Sequence, residues 1–330
     1  MTADDLRVFQ KMRGTIRRPP IFLTGMTLTQ LRYIVAVEKH KNFARAAQEC
    51  LVAQPTLSLQ IQKLEQEIGA ELFDRKKNPV AVTRFGREVL EQARVVLREA
   101  DKIVELFRDQ EEEVSGEISI GIIPTISTYL LPKIFKSLTK QYERVDFRIY
   151  ELPTTQIAEK LERDELDLGI LATPLGMKNI VEIPLYYEPF VVYFPKNYDG
   201  KKTDLTLADM EGIDMILLGE EHCFRNQSLK VCGQSTVGKI ECGSIETIKN
   251  MVDMGVGMTL LPRLSIDPER PRVAAFSDPQ PVREVSLVYR KGFFKKRIME
   301  AVRTVIMDVI PEDVRKKEGR RMVGVDVETG

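Results

Sequence analysis

Apolar side chains recur at Ala93, Val96, Ala100, Ile103 and Phe107, in alternating steps of three and four residues. This is a heptad seam, and the stretch from Thr83 to Glu113 reads as one long helix built around it. A lone helix with such a stripe has to bury it. The simplest cover is a second copy of the chain; packing against its own domain is the weaker alternative. Glu111-Glu112-Glu113 and Ser115-Gly116 read as the solvated exit of the helix and a hinge. Such a helix separates the segment before it from the longer one after it, so at least two domains are expected, which 330 residues allow.

Hydrophobic residues make up 43% and charged residues 30% of the chain, which excludes wholesale disorder. No apolar run reaches the ~18 residues of a membrane helix. Lys and Arg total 49, as do Asp and Glu, so a globally basic nucleic-acid coat is excluded while a locally basic module is not. The four cysteines, Cys50, Cys223, Cys232 and Cys242, are too sparse for a disulfide scaffold. With only His40 and His222 and no C-x-x-C pair, no metal site and no cofactor are expected. The N-terminus lacks the apolar core of a signal sequence, so a cytoplasmic location with mostly reduced thiols is the expectation. Residues 1–25 carry Arg17-Arg18-Pro19-Pro20 without periodicity and read as a poorly patterned extension, or as sequence ahead of the true start.

From Leu28, the residues Leu31, Ile34, Val35 and Val37 fall at helical spacing as far as His40. Asn42 is placed to cap a second helix with Phe43, Ala46 and Ala47 on its inner side. Gln54-Pro55-Thr56 starts a third, with Leu57, Ile61, Leu64 and Ile68 along one face, and Gly69 stops it. Phe73 to Pro79 reads as a basic turn and Val80-Ala81-Val82 as a short strand. Helix, turn, helix and basic hairpin describe a winged helix-turn-helix over residues 26–85, followed by a linker helix over 86–113.

Beyond the hinge, strands and helices alternate. Strands at 118–123, 147–150 and 168–171, with helices at 130–141 and 156–163 between them, imply a parallel sheet. A second set has strands at 191–194, 215–218, 258–261 and 285–289, a helix at 244–254 and a closing helix at about 294–310. The expected class is α/β: a regulatory domain over 117–312, with lobe I from 117–185 plus 291–312 and lobe II from 186–290. A cleft between the lobes is the default place for a ligand or reactive group. Residues 313–330, charged and glycine-containing, read as a mobile tail.

Phe43-Ala44-Arg45-Ala46-Ala47, Gln54-Pro55-Thr56-Leu57-Ser58-Leu59-Gln60-Ile61, Leu64-Glu65 and Gly69-Ala70-Glu71-Leu72-Phe73-Asp74-Arg75 closely resemble the LysR-type transcriptional regulators. Thr83 and Gly86 match the next positions of that pattern. The resemblance covers about residues 26–312 and is most specific in the first part. It implies a winged helix-turn-helix, a dimerising linker helix and a two-lobed α/β effector domain like type 2 periplasmic binding proteins, in a homodimer or homotetramer. His222-Cys223-Phe224-Arg225-Asn226-Gln227, with Cys232 nine residues after Cys223, is similar to the peroxide-sensing branch of that family. So are Ile122-Ile123-Pro124-Thr125, Tyr129-Leu130-Leu131-Pro132, Thr154 and Val288-Tyr289-Arg290. Asn226 departs from the pattern, which has aspartate. The resemblance implies that hydrogen peroxide oxidises Cys223 to a sulfenic acid and that Cys232 resolves it to a disulfide. It places Thr125, Thr154, His222, Arg225 and Arg290 around the peroxide. It also implies a double-stranded DNA operator, RNA polymerase and a thioredoxin- or glutaredoxin-type reductant as partners.

The third helix would enter the major groove by its N-terminal part, presenting Gln54, Thr56, Ser58, Gln60 and Lys63, with Arg75, Lys76 and Lys77 of the wing on phosphates. Any one such helix is more often a solvated polar face; turn, helix and basic hairpin together outweigh that. Residues 26–85 hold nine Lys and Arg against six Asp and Glu, so one copy should bind phosphate weakly and two or more are needed.

Cationic neighbours favour a thiolate, and Cys223 has His222 before it and Arg225 two positions after it. Were 223–232 helical, nine residues at ~1.5 Å rise would hold the two Cα atoms about 13 Å apart, against roughly 4.4–6.8 Å in a disulfide. Oxidation would then require refolding of the 220–238 segment, for which Gly233-Gln234-Ser235-Thr236 offers flexible backbone, and this would change oligomer geometry and DNA binding. Cys50 and Cys242 read as inert thiols. Three other readings compete: a LysR-type regulator sensing a small metabolite, a thiol peroxidase, and a transport-type solute-binding protein. The DNA-binding segment argues against an enzyme, and the last needs a signal sequence.

Overall fold

The computed structural model describes residues 25–108, 113–196, 204–210, 215–233, 240–267 and 272–325. The expected extension before residue 25 and the segment 234–239 therefore lie outside the described residues. The chain divides into two units, residues 1–104 and 105–330.

In the first unit, α1 (Leu28–His40) opens with a capping box: the Thr27 hydroxyl accepts from the Gln30 amide and the Gln30 side chain accepts from that of Thr27. Asn42 Oδ1 accepts from the amides of Ala44 and Arg45 to start α2 (Phe43–Glu49). Next, α3 (Gln54–Ile68) carries Pro55 in its first turn and ends on Gly69 at φ +76°, a left-handed position that glycine adopts at no steric cost. Ile34, Val37, Ala46, Leu57, Ile61, Leu64 and Leu72 form the core of this unit, all buried. The wing is an antiparallel pair, β1 (Phe73–Asp74) and β2 (Ala81–Val82).

Thr83 joins the wing to α4 (Arg84–Arg108): its hydroxyl accepts from the Gly86 amide and donates to the Glu71 carbonyl. A Cβ at Gly86 would stand 2.2 Å from the Leu72 carbonyl oxygen, so only glycine lets the helix lie this close to the wing backbone. Of the expected seam, Ala93 is buried, Val96 and Ala100 are half-buried, and Ile103, with Val104, is exposed. The Phe107 side chain falls outside the described part of the seam.

The second unit begins with β3 (Gly116–Ile122), α5 (Pro124–Gln141), β4 (Val145–Glu151), α6 (Thr154–Glu162) and β5 (Leu168–Thr173). β3 pairs in parallel with both β4 and β5. Both helices start earlier than periodicity suggests, because Pro124 and Pro153 fit helix N-termini. β6 (Ile180–Tyr193) is one long strand: Leu185 and Tyr186 sit in the core of lobe I, Phe190 to Tyr193 in that of lobe II. Lobe II continues with β7 (Asp204–Leu205), β8 (Ile216–Leu218), α7 (Cys223–Cys232), β9 (Ile240–Cys242), α8 (Ile245–Asp253), β10 (Thr259–Pro262) and β11 (Val273–Phe276). β12 (Pro281–Arg290) returns between β5 and β6, antiparallel to both, and α9 (Lys296–Val309) closes lobe I.

Two boundaries are corrected. Lobe II was expected to extend to residue 290, but Val285, Leu287 and Val288 lie in the lobe I core, since β12 pairs with β5 from Glu284 to Val288. The tail expected to be mobile is docked as far as residue 325. Val314 and Val323 are buried, and β13 (Arg321–Met322) pairs in parallel with the start of β12.

Candidate functional site

Three helix N-termini meet between the lobes. Cys223 is the first residue of α7, Thr154 the first of α6 and Thr125 the second of α5. With Ile123, Pro124, Pro153, Glu221 and His222 they line a narrow crevice. Each N-terminus presents amides and a partial positive charge that lower the cost of an anion at the sulfur without deciding its charge state. The Cys223 side chain is partly accessible, yet its surroundings are dense enough that burial pushes its thiol pKa up. The nearby Thr154 hydroxyl, the Arg283 charge and the amides of Cys223 and Phe224 act in the opposite direction. Thr154 Oγ1 is buried and faces the Cys223 thiol, the one group whose charge it bears on.

Arg283 is fully buried, as is its ion-pair partner Glu188, at 2.7 Å. Its Nη1 donates to Thr125 Oγ1 at 2.8 Å and its guanidinium lies 5.1 Å from the Phe224 ring centre. Glu188 also accepts from the Tyr129 hydroxyl at 2.9 Å and the Leu264 amide at 3.0 Å, and the Tyr129 and Tyr186 hydroxyls are hydrogen-bonded to each other. This buried network joins α5, β6 and β12 of one lobe to α7 and the turn after β10 of the other. Sequence reading missed Arg283, Glu188 and Tyr186. No local signal singles them out, because β6 carries both Glu182 and Glu188, and β12 carries Arg283, Glu284 and Arg290.

Arg290 and Arg225 are corrections. Arg290 stands at the far end of β12, seven residues from Arg283, or about 23 Å at ~3.3 Å per residue; it pairs with Asp164. Arg225 is paired with Glu241 at 2.7 Å and is not among the groups that act on the Cys223 thiol. The cation near the thiol is Arg283. His222 does line the crevice, buried, with its Nε2 at 3.1 Å from the Gly243 carbonyl.

Cys232 lies at the other end of α7, 1% exposed in the lobe II core, with its Sγ 3.4 Å from the Met215 sulfur. Burial pushes its thiol up to about 12. Ten residues of helix hold the two sulfurs apart. Cys242 is buried against Met251, and Cys50 is half-buried beyond α2.

On the helix-turn-helix unit, Leu57, Ile61 and Leu64 fix the inner face of α3, so at ~100° per residue Pro55, Leu59, Gln62 and Gln66 point outward. Thr56 and Lys63 are exposed and flank that stripe, and Gln54 is exposed at the start of the first turn. Gln60 is a correction: half-buried, it accepts from Gln30 of α1 at 3.3 Å and serves packing. Arg75 is another. It pairs with the buried Glu65 at 2.7 Å, donates to Ser58, and lies over the Phe43 ring, tying wing to recognition helix. Lys76 and Lys77 are exposed.

Residues 28–87 match the model of the bacterial regulatory helix-turn-helix protein, lysR family, and residues 111–310 that of the LysR substrate binding domain. The hydrogen peroxide-inducible genes activator of Pectobacterium carotovorum subsp. carotovorum is 37% identical over 275 residues, covering 81% of this chain and 91% of that protein. The DNA-binding transcriptional dual regulator OxyR of Escherichia coli K12 is 36% identical, over 81% and 90%. The chain belongs to the LysR family, in its OxyR branch. A full-length OxyR structure from Pseudomonas aeruginosa matches with a TM-score of 0.77 and 34% identity, covering 89% of this chain and 98% of that one. A hydrogen-peroxide-bound OxyR mutant of Corynebacterium glutamicum matches with a TM-score of 0.56 and 27% identity, over 86% and 92%. Within this LysR framework the crevice at Cys223 lies between the two lobes of the substrate-binding domain, and the segment after residue 310 lies beyond the matched part. No described helix is long and apolar enough to cross a membrane, and no described cluster of His, Cys, Asp and Glu could hold a metal ion.

Proposed function

We propose that the chain is a cytoplasmic, peroxide-sensing transcription regulator that binds a double-stranded DNA operator as a homodimer or homotetramer. The observation that carries this is the convergence of three helix N-termini and a buried arginine on Cys223. The crevice is narrow, which suits a reactant as small as hydrogen peroxide, and peroxide both donates and accepts hydrogen bonds, as the Thr154 hydroxyl beside the sulfur requires. The Cys223 thiolate attacks one peroxide oxygen, the O–O bond breaks, and hydroxide leaves, taking up the thiol's proton as water. The helix amides and Arg283 stabilise the negative charge throughout. Cys223 is then a sulfenic acid. The Cys232 thiolate attacks its sulfur, forms the disulfide and releases hydroxide, which is protonated to water.

The second step needs α7 to unwind, because its helical length exceeds disulfide reach by about twofold. That refolding is the switch. A thioredoxin- or glutaredoxin-type dithiol would reset it, and RNA polymerase would read the altered DNA complex. Thr56, Gln54 and Lys63 would meet the groove and Lys76 and Lys77 the phosphates.

The test is a DNA footprint of both redox forms of the parent and of Cys223→Ser. The parent should change footprint on oxidation while Cys223→Ser keeps the reduced one. A peroxide-responsive footprint in Cys223→Ser would sink the reading.

A further inference from the structure

We propose that the C-terminal segment 321–324 is a latch on the redox helix, setting how readily the sulfenic acid at Cys223 proceeds to the disulfide. This rests on the peroxide-switch reading above and adds a regulator to it. Between the two cysteines, α7 sends two side chains to the tail. The Gln227 amide, wholly buried, donates to the Val323 carbonyl at 2.9 Å, and Lys230 Nζ donates to the Gly324 carbonyl at 3.2 Å. The tail is itself anchored. Arg321 N donates to Gln280 O and Val323 N to Val282 O, both at 2.9 Å, while the Val323 side chain joins the lobe II core.

The helix needs such support. It is ten residues long, has no side-chain N-cap, and includes Asn226 and Ser228, both poor helix formers. Ser228 also bonds back to the Phe224 carbonyl, a habit that weakens helices. An isolated helix of this length is marginal in water, so packing holds it. Gln227 and Lys230 both lie inside the segment that must unwind. Their bonds to the tail cannot survive that motion, so tail docking and the helical state of α7 favour each other.

The experiment compares the parent, a chain ending at Arg320, and Lys230→Met in the full chain. Capture of Cys223 by a dimedone-type probe follows the first step; quenched mass spectrometry follows the Cys223–Cys232 disulfide. The first step should keep its rate in all three. Disulfide formation should speed up roughly tenfold in the truncated chain and roughly threefold in Lys230→Met, as expected for losing one or two modest hydrogen bonds. In the parent, oxidation should raise amide exchange at residues 321–324, and in Cys232→Ser it should not. Equal disulfide rates in Lys230→Met and the parent, with tail protection unchanged on oxidation, would overturn the latch alone. A parent that forms no disulfide overturns the switch and the latch with it.

Discussion

Arg283 donates to the Thr125 hydroxyl at 2.8 Å while both side chains are buried beside the crevice that holds Cys223. The arginine therefore serves two ends, charge near the sulfur and closure of the lobe junction through Glu188. Arg283→Met should cost about 3–5 kcal/mol in urea unfolding, because Glu188 is left buried without its ion pair. Adding Glu188→Leu removes the unpaired buried charge and should restore part of that stability, since the Tyr129 hydroxyl and the Leu264 amide still lose an acceptor, while peroxide oxidation of Cys223 stays slow. A double variant that reacts at the parent rate would show that the arginine charge does not activate the thiol.

The wing cations should separate cleanly. Arg75→Ala should destabilise the helix-turn-helix unit by about 1–3 kcal/mol, since the buried Glu65 loses its partner. Lys76→Ala should leave stability unchanged and lower the salt slope of DNA binding by about one. Equal salt slopes for Lys76→Ala and the parent would remove the wing from the phosphates.

On the recognition helix, Gln62→Ala should reduce operator affinity by about 1–3 kcal/mol, with a smaller change in non-specific affinity. Gln60→Ala should affect stability first, because its amide meets Gln30. Binding titrations with operator and scrambled DNA would decide it: the opposite ranking of the two variants would mean that α3 docks on a different face.

Burial holds the Cys223 thiol protonated beyond the ordinary thiol range. The thiolate fraction, and with it the peroxide reaction rate, should climb about tenfold per pH unit from about pH 6 to 8. A plateau below about pH 7 would place the thiol pKa low instead. The same shift has a stability sign. The unfolded thiol ionises first as pH rises, so the reduced protein loses this contribution above the unfolded thiol pKa and until the raised one is passed.

Much of the DNA-binding unit was legible because its signals are local. Asn42, Pro55 and Gly69 act on neighbouring amides, and the apolar spacing of α3 alone fixes its inner face. Gln60 and Arg75 were misjudged because their partners, Gln30 and Glu65, are set by packing. In the effector domain Cys223, Thr125 and Thr154, grouped by the family motif, do line one crevice, but the cation near the thiol was not legible. Arg283 and Arg290 lie on one strand, and only the sheet pairing decides which end meets α7. The docked tail was hidden for a related reason: its charged composition conceals Val314 and Val323, two apolar residues that find cores formed by distant segments.

The most direct measurement is mass spectrometry of the reduced protein before and after one equivalent of hydrogen peroxide. The account predicts a loss of two hydrogens, mapped to a bond between Cys223 and Cys232, with Cys50 and Cys242 still alkylatable. Thiols left free at both positions, or a disulfide that uses Cys50 or Cys242 instead, would contradict it.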